Sequence, residues 1–263
     1  MHAARRTQRL LVSYRLIAAV SFSVAVAAPV HAEEGGSWLQ RAGSHLMTGS
    51  GKLQTETRAI SGFQAISLRG PMQLVLRQGA REAVELRADD NLLALIETRV
   101  VDRSGVPTLE IGTRGGSRFD SRNDMTVTID VLTLNALSVA GSGDVVGEGL
   151  KTAALKIQVT GSGDVRLRQL SSDEIRVEIS GSGDVGLAGR VARLQVSIAG
   201  SGDVDTSGLE AEDVSVSIAG SGDAKVNARK TLGVAIAGSG DVAYTGDASL
   251  KSSISGSGSV AKR

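Results

Sequence analysis

Cysteine is absent from the 263 residues, histidine occurs three times, and aromatic side chains make up 2% of the chain. Each shortage removes a class of chemistry. Without cysteine, a core in an oxidising compartment must hold without disulfides, and no lipid-modified cysteine can tether the chain to a membrane. His2 and His31 belong to the first 32 residues, and only His45 lies beyond them, in a Gly/Ser-rich stretch. A histidine-based triad is therefore excluded from the body of the protein. Beyond residue 32 the aromatics are Trp38, Phe63, Phe119 and Tyr244, which leaves no stacking platform for sugars.

Charge of one sign is also missing. Residues 1–32 carry Arg5, Arg6, Arg9 and Arg15 and no acid, followed by an apolar run from Leu16 to Val30 and small residues up to Ala32. A charged start, a short apolar core and small residues before the cut predict a secretory signal peptide over 1–32, cleaved near Ala32. The run is too short for a confident membrane span, so the mature chain is expected to have no transmembrane segment. Removing the four arginines leaves 25 basic against 28 acidic residues, and the net charge moves from +1 to −3. That leaves no basic face for nucleic acid. The expected location is the periplasm, the exterior or the cell envelope.

Residues 33–57 are rich in Gly, Ser and Thr and read as a flexible linker. Trp38, Leu39, Ala42 and Leu46 could share one face of a short helix, but a mobile leader is the simpler expectation. From Arg58 to Ile111 apolar and polar residues alternate as in strands. The "ADDNLLALIET" stretch predicts a single helical turn capped by Asp89 or Asp90. The polar run from Gly112 to Asp124 reads as an exposed loop.

What is abundant is glycine, 33 residues of it, and much of it recurs in one phrase. GSGD starts at Gly141, Gly161, Gly181, Gly200, Gly220 and Gly238, and GSGS at Gly256. The period of about 20 residues signals a solenoid. Two residues before each turn stand Val139, Val159, Ile179, Ile198, Ile218, Ile236 and Ile254; one after the acid stand Val145, Val165, Val185, Val204, Ala224, Val242 and Val260. These are strands entering and leaving one turn type. An antiparallel sandwich or barrel would need reciprocal hairpins instead. Stacked parallel coils, a β-helix, fit the pattern. The two glycines of each turn are expected to permit positive φ and to leave no Cβ against the neighbouring coil. The body of the protein is then 58–263, with 58–130 a less regular cap and 131–263 the repeats. Ser252, Ser259 and the final Lys262-Arg263 make the last coil look like a second cap.

In-register coils place Asp144, Asp164, Asp184, Asp203, Asp223 and Asp241 in one column beside a column of serines from Ser142 to Ser257. Adjacent carboxylates about 4.8 Å apart repel by roughly 0.9 kcal/mol in water. Two arrangements would compensate. Each Asp can accept backbone N–H groups of its own turn or of the adjacent coil. Alternatively Ca²⁺ can sit between the acids, with serine and carbonyl oxygens completing the shell; the six aspartates are the candidate metal ligands. Calcium-binding β-rolls share Gly-rich turns ending in Asp, but on a nine-residue repeat.

The segments "GFQAISLRGPMQLVLRQG", "VELRADDNLLALIETRVVD" and the run of "ISGSGDV" turns resemble the auto-transporter adhesin head GIN domain family, a bacterial domain of unknown function. The resemblance covers roughly residues 58–263. It implies a right-handed parallel β-helix in a secreted or envelope-associated protein, and brings no catalytic residues. Three functions remain open. The first is a non-enzymatic envelope protein, adhesin-like, that presents a rigid sheet face to an envelope protein or a polysaccharide. The second is a carbohydrate-active lyase or hydrolase using the Asp column, whose spacing is near that of retaining glycosidases. The third is a structural spacer with no small-molecule partner. The outward residues two past each acid (Val146, Arg166, Gly186, Asp205, Lys225, Ala243, Ala261) form no stripe of charge or aromatics that would locate a binding face.

Overall fold

The computed structural model describes residues 46–116 and 118–263. The signal-peptide segment, His45 and the apolar trio Trp38, Leu39 and Ala42 lie outside the described residues.

The irregular half contains β1 (Leu46–Thr48), β2 (Leu53–Arg58), β3 (Ala65–Arg69), β4 (Gln73–Gln78), β5 (Ala83–Asp89), α1 (Asp90–Leu93), β6 (Ile96–Arg103), β7 (Val106–Thr113), β8 (Arg118–Asp120) and β9 (Thr126–Val131). The repeats contain β10 (Ala136–Gly141), β11 (Val145–Glu148), β12 (Lys151–Gly161), β13 (Val165–Gly181), β14 (Val185–Gly200), β15 (Val204–Gly220), β16 (Ala224–Gly238), β17 (Val242–Thr245), β18 (Ser249–Gly256) and β19 (Val260–Lys262). Strands before and after each GSGD turn pair in parallel with their counterparts one coil away. The protein is a β-solenoid of stacked parallel coils.

The period-two pattern builds its core. Ile157, Val177, Val196, Val216 and Val234 are register partners along the face before the turn, as are Val159, Ile179, Ile198, Ile218 and Ile236; all are buried. Val145, Val165, Val185, Val204, Ala224 and Val242 do the same on the face after it. Burying a Val, Leu or Ile side chain contributes roughly 1.5–3 kcal/mol relative to leaving it exposed, so every added coil extends the apolar ladders. In the last coil Ser252 and Ser259 take polar places, yet Leu250 and Ile254 remain 38% and 42% exposed.

Two constraints act on the glycines of each turn. Gly181 sits at φ +136°, which L side chains avoid. Gly183 has no such φ; a Cβ there would come within 2.2 Å of the Gly163 carbonyl oxygen. The first glycine of the phrase answers to both causes, since a Cβ on Gly181 would also lie 2.3 Å from the Gly161 carbonyl oxygen, and close stacking alone explains the second.

The irregular half is a cap with a non-sequential order. β3 lies between β7 and β10, and β4 between β9 and β11, all parallel. Gly70, Pro71, Met72 and Gln73 therefore lie beneath Gly141, Ser142, Gly143 and Asp144 and form an eighth, unsigned copy of the turn. Gly70 keeps the positive φ, at +114°. Met72 replaces the second glycine because the coil below turns through the wide excursion from Arg114 to Met125 rather than a tight turn. Beyond β9 the sheet continues antiparallel through β5 to β2, and beyond β7 to β6.

Three expectations need correction. Residues 53–57, read as linker, are most of β2 and pair with β5; Leu46 begins a strand, not a helical turn. Within the stretch read as an exposed loop, Arg118–Asp120 pairs in parallel with Leu46–Thr48. The helical turn exists as α1, but Asp89 does not cap it with its side chain. Its carboxylate is 1% exposed and instead accepts the Ser121 hydroxyl and the Asn123 amide, each at 2.6 Å.

Candidate functional site

The six turn aspartates form a ladder, and the backbone of the next coil occupies it. Oδ1 of Asp144 accepts the N–H of Asp164 at 3.1 Å, and Oδ1 of Asp164 that of Asp184 at 3.1 Å. Asp184, Asp203 and Asp223 repeat the bond to Asp203, Asp223 and Asp241 at 3.0, 2.8 and 2.8 Å. Asp241 closes the series by accepting both the N–H and the hydroxyl of Ser259 at 2.8 Å. Ser259 is thus a donor that ends the ladder without presenting another acid. Each turn is fastened a second time, by the serine N–H to the first glycine carbonyl of the coil below, as in Ser182 to Gly161 at 2.9 Å. The aspartate carbonyl in turn accepts from the coil below, as in Val165 N–H to Asp184 O at 2.9 Å.

This is the first of the two compensations considered for the acid column, with the neighbouring coil as donor. Arg166 adds an ion pair to Asp164, Nη2 to Oδ2 at 2.8 Å. The turn serines face solvent beside the ladder. Among the described residues no group of three or more His, Cys, Asp or Glu side chains is gathered to hold a metal ion.

Other polar constellations were not legible as sites. Glu110, on the outer surface of β7, is bonded by Arg103, by Arg99 at 2.9 Å and by Arg69 at 3.3 Å. Hydrogen bonds from Arg103 and Arg99 hold its carboxyl below the usual range against the opposing effect of burial. Asp89 is lowered by the Ser121 and Asn123 bonds. It lies under Gly49, where any Cβ would strike its Oδ2. Asp90 accepts the Ser50 hydroxyl at 2.6 Å, and Asn91 donates to the Thr48 carbonyl at 2.9 Å. Together these groups clasp residues 46–52 to the cap. Along the repeats, Arg190 and Arg229 flank Glu210 at 3.6 Å each, and Lys230 meets Glu212 at 2.7 Å. These are exposed pairs of small individual weight.

Two outer surfaces differ in character. Before the turns, Ser197, Ala199, Ser217, Ala219, Ala235 and Ala237 make a flat, exposed, uncharged face across β14, β15 and β16. After the turns, β4, β11 and the start of β13 carry Val75, Val146, Arg77, Glu148, Arg166 and Arg168 around a groove of about 490 Å³. Among the described residues no helix is long and apolar enough to cross a membrane.

Solved structures share this architecture. A putative adhesin from Bacteroides fragilis is 29% identical with a TM-score of 0.75, the match covering 82% of this chain and 100% of that one. A putative lipid binding protein from Parabacteroides distasonis is 24% identical with a TM-score of 0.67, covering 83% and 100%. A putative adhesin from Parabacteroides merdae is 23% identical with a TM-score of 0.62, covering 82% and 98%. No curated protein matches the sequence significantly. The family model for "Putative auto-transporter adhesin, head GIN domain" matches residues 62–248, from just before β3 through the last full GSGD turn. With seven of its eight stacked turns and the cap strands β3 to β9 inside that span, the chain belongs to the auto-transporter adhesin head GIN domain family.

Proposed function

We propose that this is an exported, non-enzymatic cell-envelope protein whose solenoid serves as a rigid binding module for an envelope protein or a polysaccharide. The observation that carries this reading is the division of labour in each coil. The turn is held constant by the aspartate ladder, while the outward strand positions vary from coil to coil. Outward positions free of structural duty are where recognition can be written, and membership of an adhesin-like family supports that use. The uniformity of the acid column fits as well. Each carboxylate of the column takes the same backbone bond, whereas catalysis needs one unlike constellation.

The test is capture from envelope extracts combined with a glycan array. A saturable partner from either supports the module, and two empty results overturn it. Turnover of any polyuronide or neutral glycan that Asp164→Asn and Asp184→Asn abolish would replace it with an enzyme.

A further inference from the structure

The groove after the turns holds an arrangement that the repeats do not explain. Val75 and Val146 are register partners on adjacent coils, both outward and half-buried. In the next outward column Asp130, Arg77, Glu148 and Arg168 follow one another in register. The guanidiniums are held to the rim: Arg77 Nε lies 2.8 Å from Asp130 Oδ1, and Arg166 Nη2 lies 2.8 Å from Asp164 Oδ2. Arg168 is exposed and enters no hydrogen bond or ion pair of its side chain among the described residues. A guanidinium carries five N–H donors, so most of the donors around this floor are unused.

We propose that this groove binds a carboxylated saccharide, a uronic acid unit or short run of them. The proposal rests on the binding-module reading and names its ligand class. The aliphatic Val75–Val146 floor, about 5 Å across the two coils, matches the apolar face of one sugar ring in a protein with almost no aromatics. Arg168 and Arg166 meet the sugar carboxylate, where planar donors suit planar acceptors. Glu148, held by the Gln169 amide, brings a hydroxyl acceptor to the same groove. An acceptor there suits a ligand with several hydroxyls beside its carboxylate. The groove is open and its floor narrow, which suits a saccharide lying along the surface and leaves an acyl chain unburied.

The contrast with the Glu110 cluster is informative. There three arginines converge on one carboxylate; here they are spread around a half-buried apolar strip.

Calorimetry of the protein with tetragalacturonate, maltotetraose and inorganic phosphate tests the proposal. Tetragalacturonate binding that maltotetraose lacks, that phosphate does not displace and that weakens with added salt supports it. Arg168→Gln should weaken that binding about fivefold, Val146→Asp should abolish it, and Arg99→Gln in the other arginine cluster should leave it unchanged. Circular dichroism melts check that each variant folds; Arg168→Gln removes an exposed side chain and keeps the test open if Val146→Asp does not fold. Equal affinity for the two tetrasaccharides, displacement by phosphate, or indifference to Arg168→Gln overturns the site. If Arg168→Gln and wild type then capture the same envelope partner or array glycan, the module reading stands and only the groove assignment falls. If neither captures anything, both fall.

Discussion

Replacing Asp184 separates the two effects that meet in the acid column. Asp184→Ala removes the acceptor of the Asp203 N–H, a bond of 3.0 Å, and also removes a charge. Asp184→Asn removes the charge and retains a side-chain oxygen that can accept. A side-chain oxygen accepting a backbone N–H at a helix N-cap contributes about 1 kcal/mol, and the same chemistry operates here. Two neighbouring carboxylates, at a coil spacing of about 4.8 Å, each repel by roughly 0.9 kcal/mol in water without salt. At physiological ionic strength, screening with a length of about 8 Å cuts each to roughly 0.5 kcal/mol. Asp184→Asn should therefore match or exceed wild type at low salt, by up to about 1 kcal/mol, with the advantage shrinking as salt rises. Asp184→Ala should lie about 1 kcal/mol below Asp184→Asn at every salt concentration, or about 2–4 °C in melting midpoint for a domain of this size. Thermal denaturation of the three proteins from 10 mM to 500 mM NaCl reads both differences. Equal midpoints for the Ala and Asn variants would refute the ladder as a source of stability.

Further outcomes follow from geometry already described. Gly183→Ala places a Cβ 2.2 Å from the Gly163 carbonyl oxygen and should cost at least about 3 kcal/mol by prising two coils apart. At Gly233, nothing lies within 4 Å of the added Cβ, so the Gly233→Ala melt should be unchanged or raised by up to about 1 kcal/mol. Because the Glu110 carboxyl is lowered by Arg103 and Arg99, its contribution is present above its unfolded value of 4.5 and is lost as pH falls through the folded one. Wild type should accordingly exceed Glu110→Gln in melting midpoint at pH 7, with the gap closing in acid below pH 4.5. With one oxygen of each turn aspartate already bonded, the melting midpoint should be the same in EDTA and across a Ca²⁺ series. A Ca²⁺-specific rise lost in Asp184→Asn would make the column an ion site.

The period and inward ladders could be read from the sequence because each coil buries the same side-chain positions as the last. The acid ladder was half legible. Spacing puts Asp144 through Asp241 in one column, but only geometry shows that each acid serves the following coil. The cap was opaque for a topological reason. Gly70 to Gln73 shares just one residue type with GSGD, because the coil beneath it makes no tight turn and so imposes no second glycine. Nothing local in β7 or β9 records that they lie on the far side of β3 and β4 from β10 and β11. The groove at Val75 and Val146 joins strands from both halves of the chain, so a scan along the repeat alone finds no stripe there.

The interlocked order of the cap also sets a direction of growth. The slots beside β3 and β4 are filled by β7 and β9, all within the first 131 residues, so this half can close before any GSGD coil has been made. A chain that emerges N-terminus first meets a finished template whose open edge matches the next coil in register. Every later coil needs contacts only with its predecessor. The solenoid can therefore assemble by successive addition from a single seed, as a polymer grows from a primer. Duplicating or deleting one GSGD coil changes the length of the rod and leaves its starting point intact.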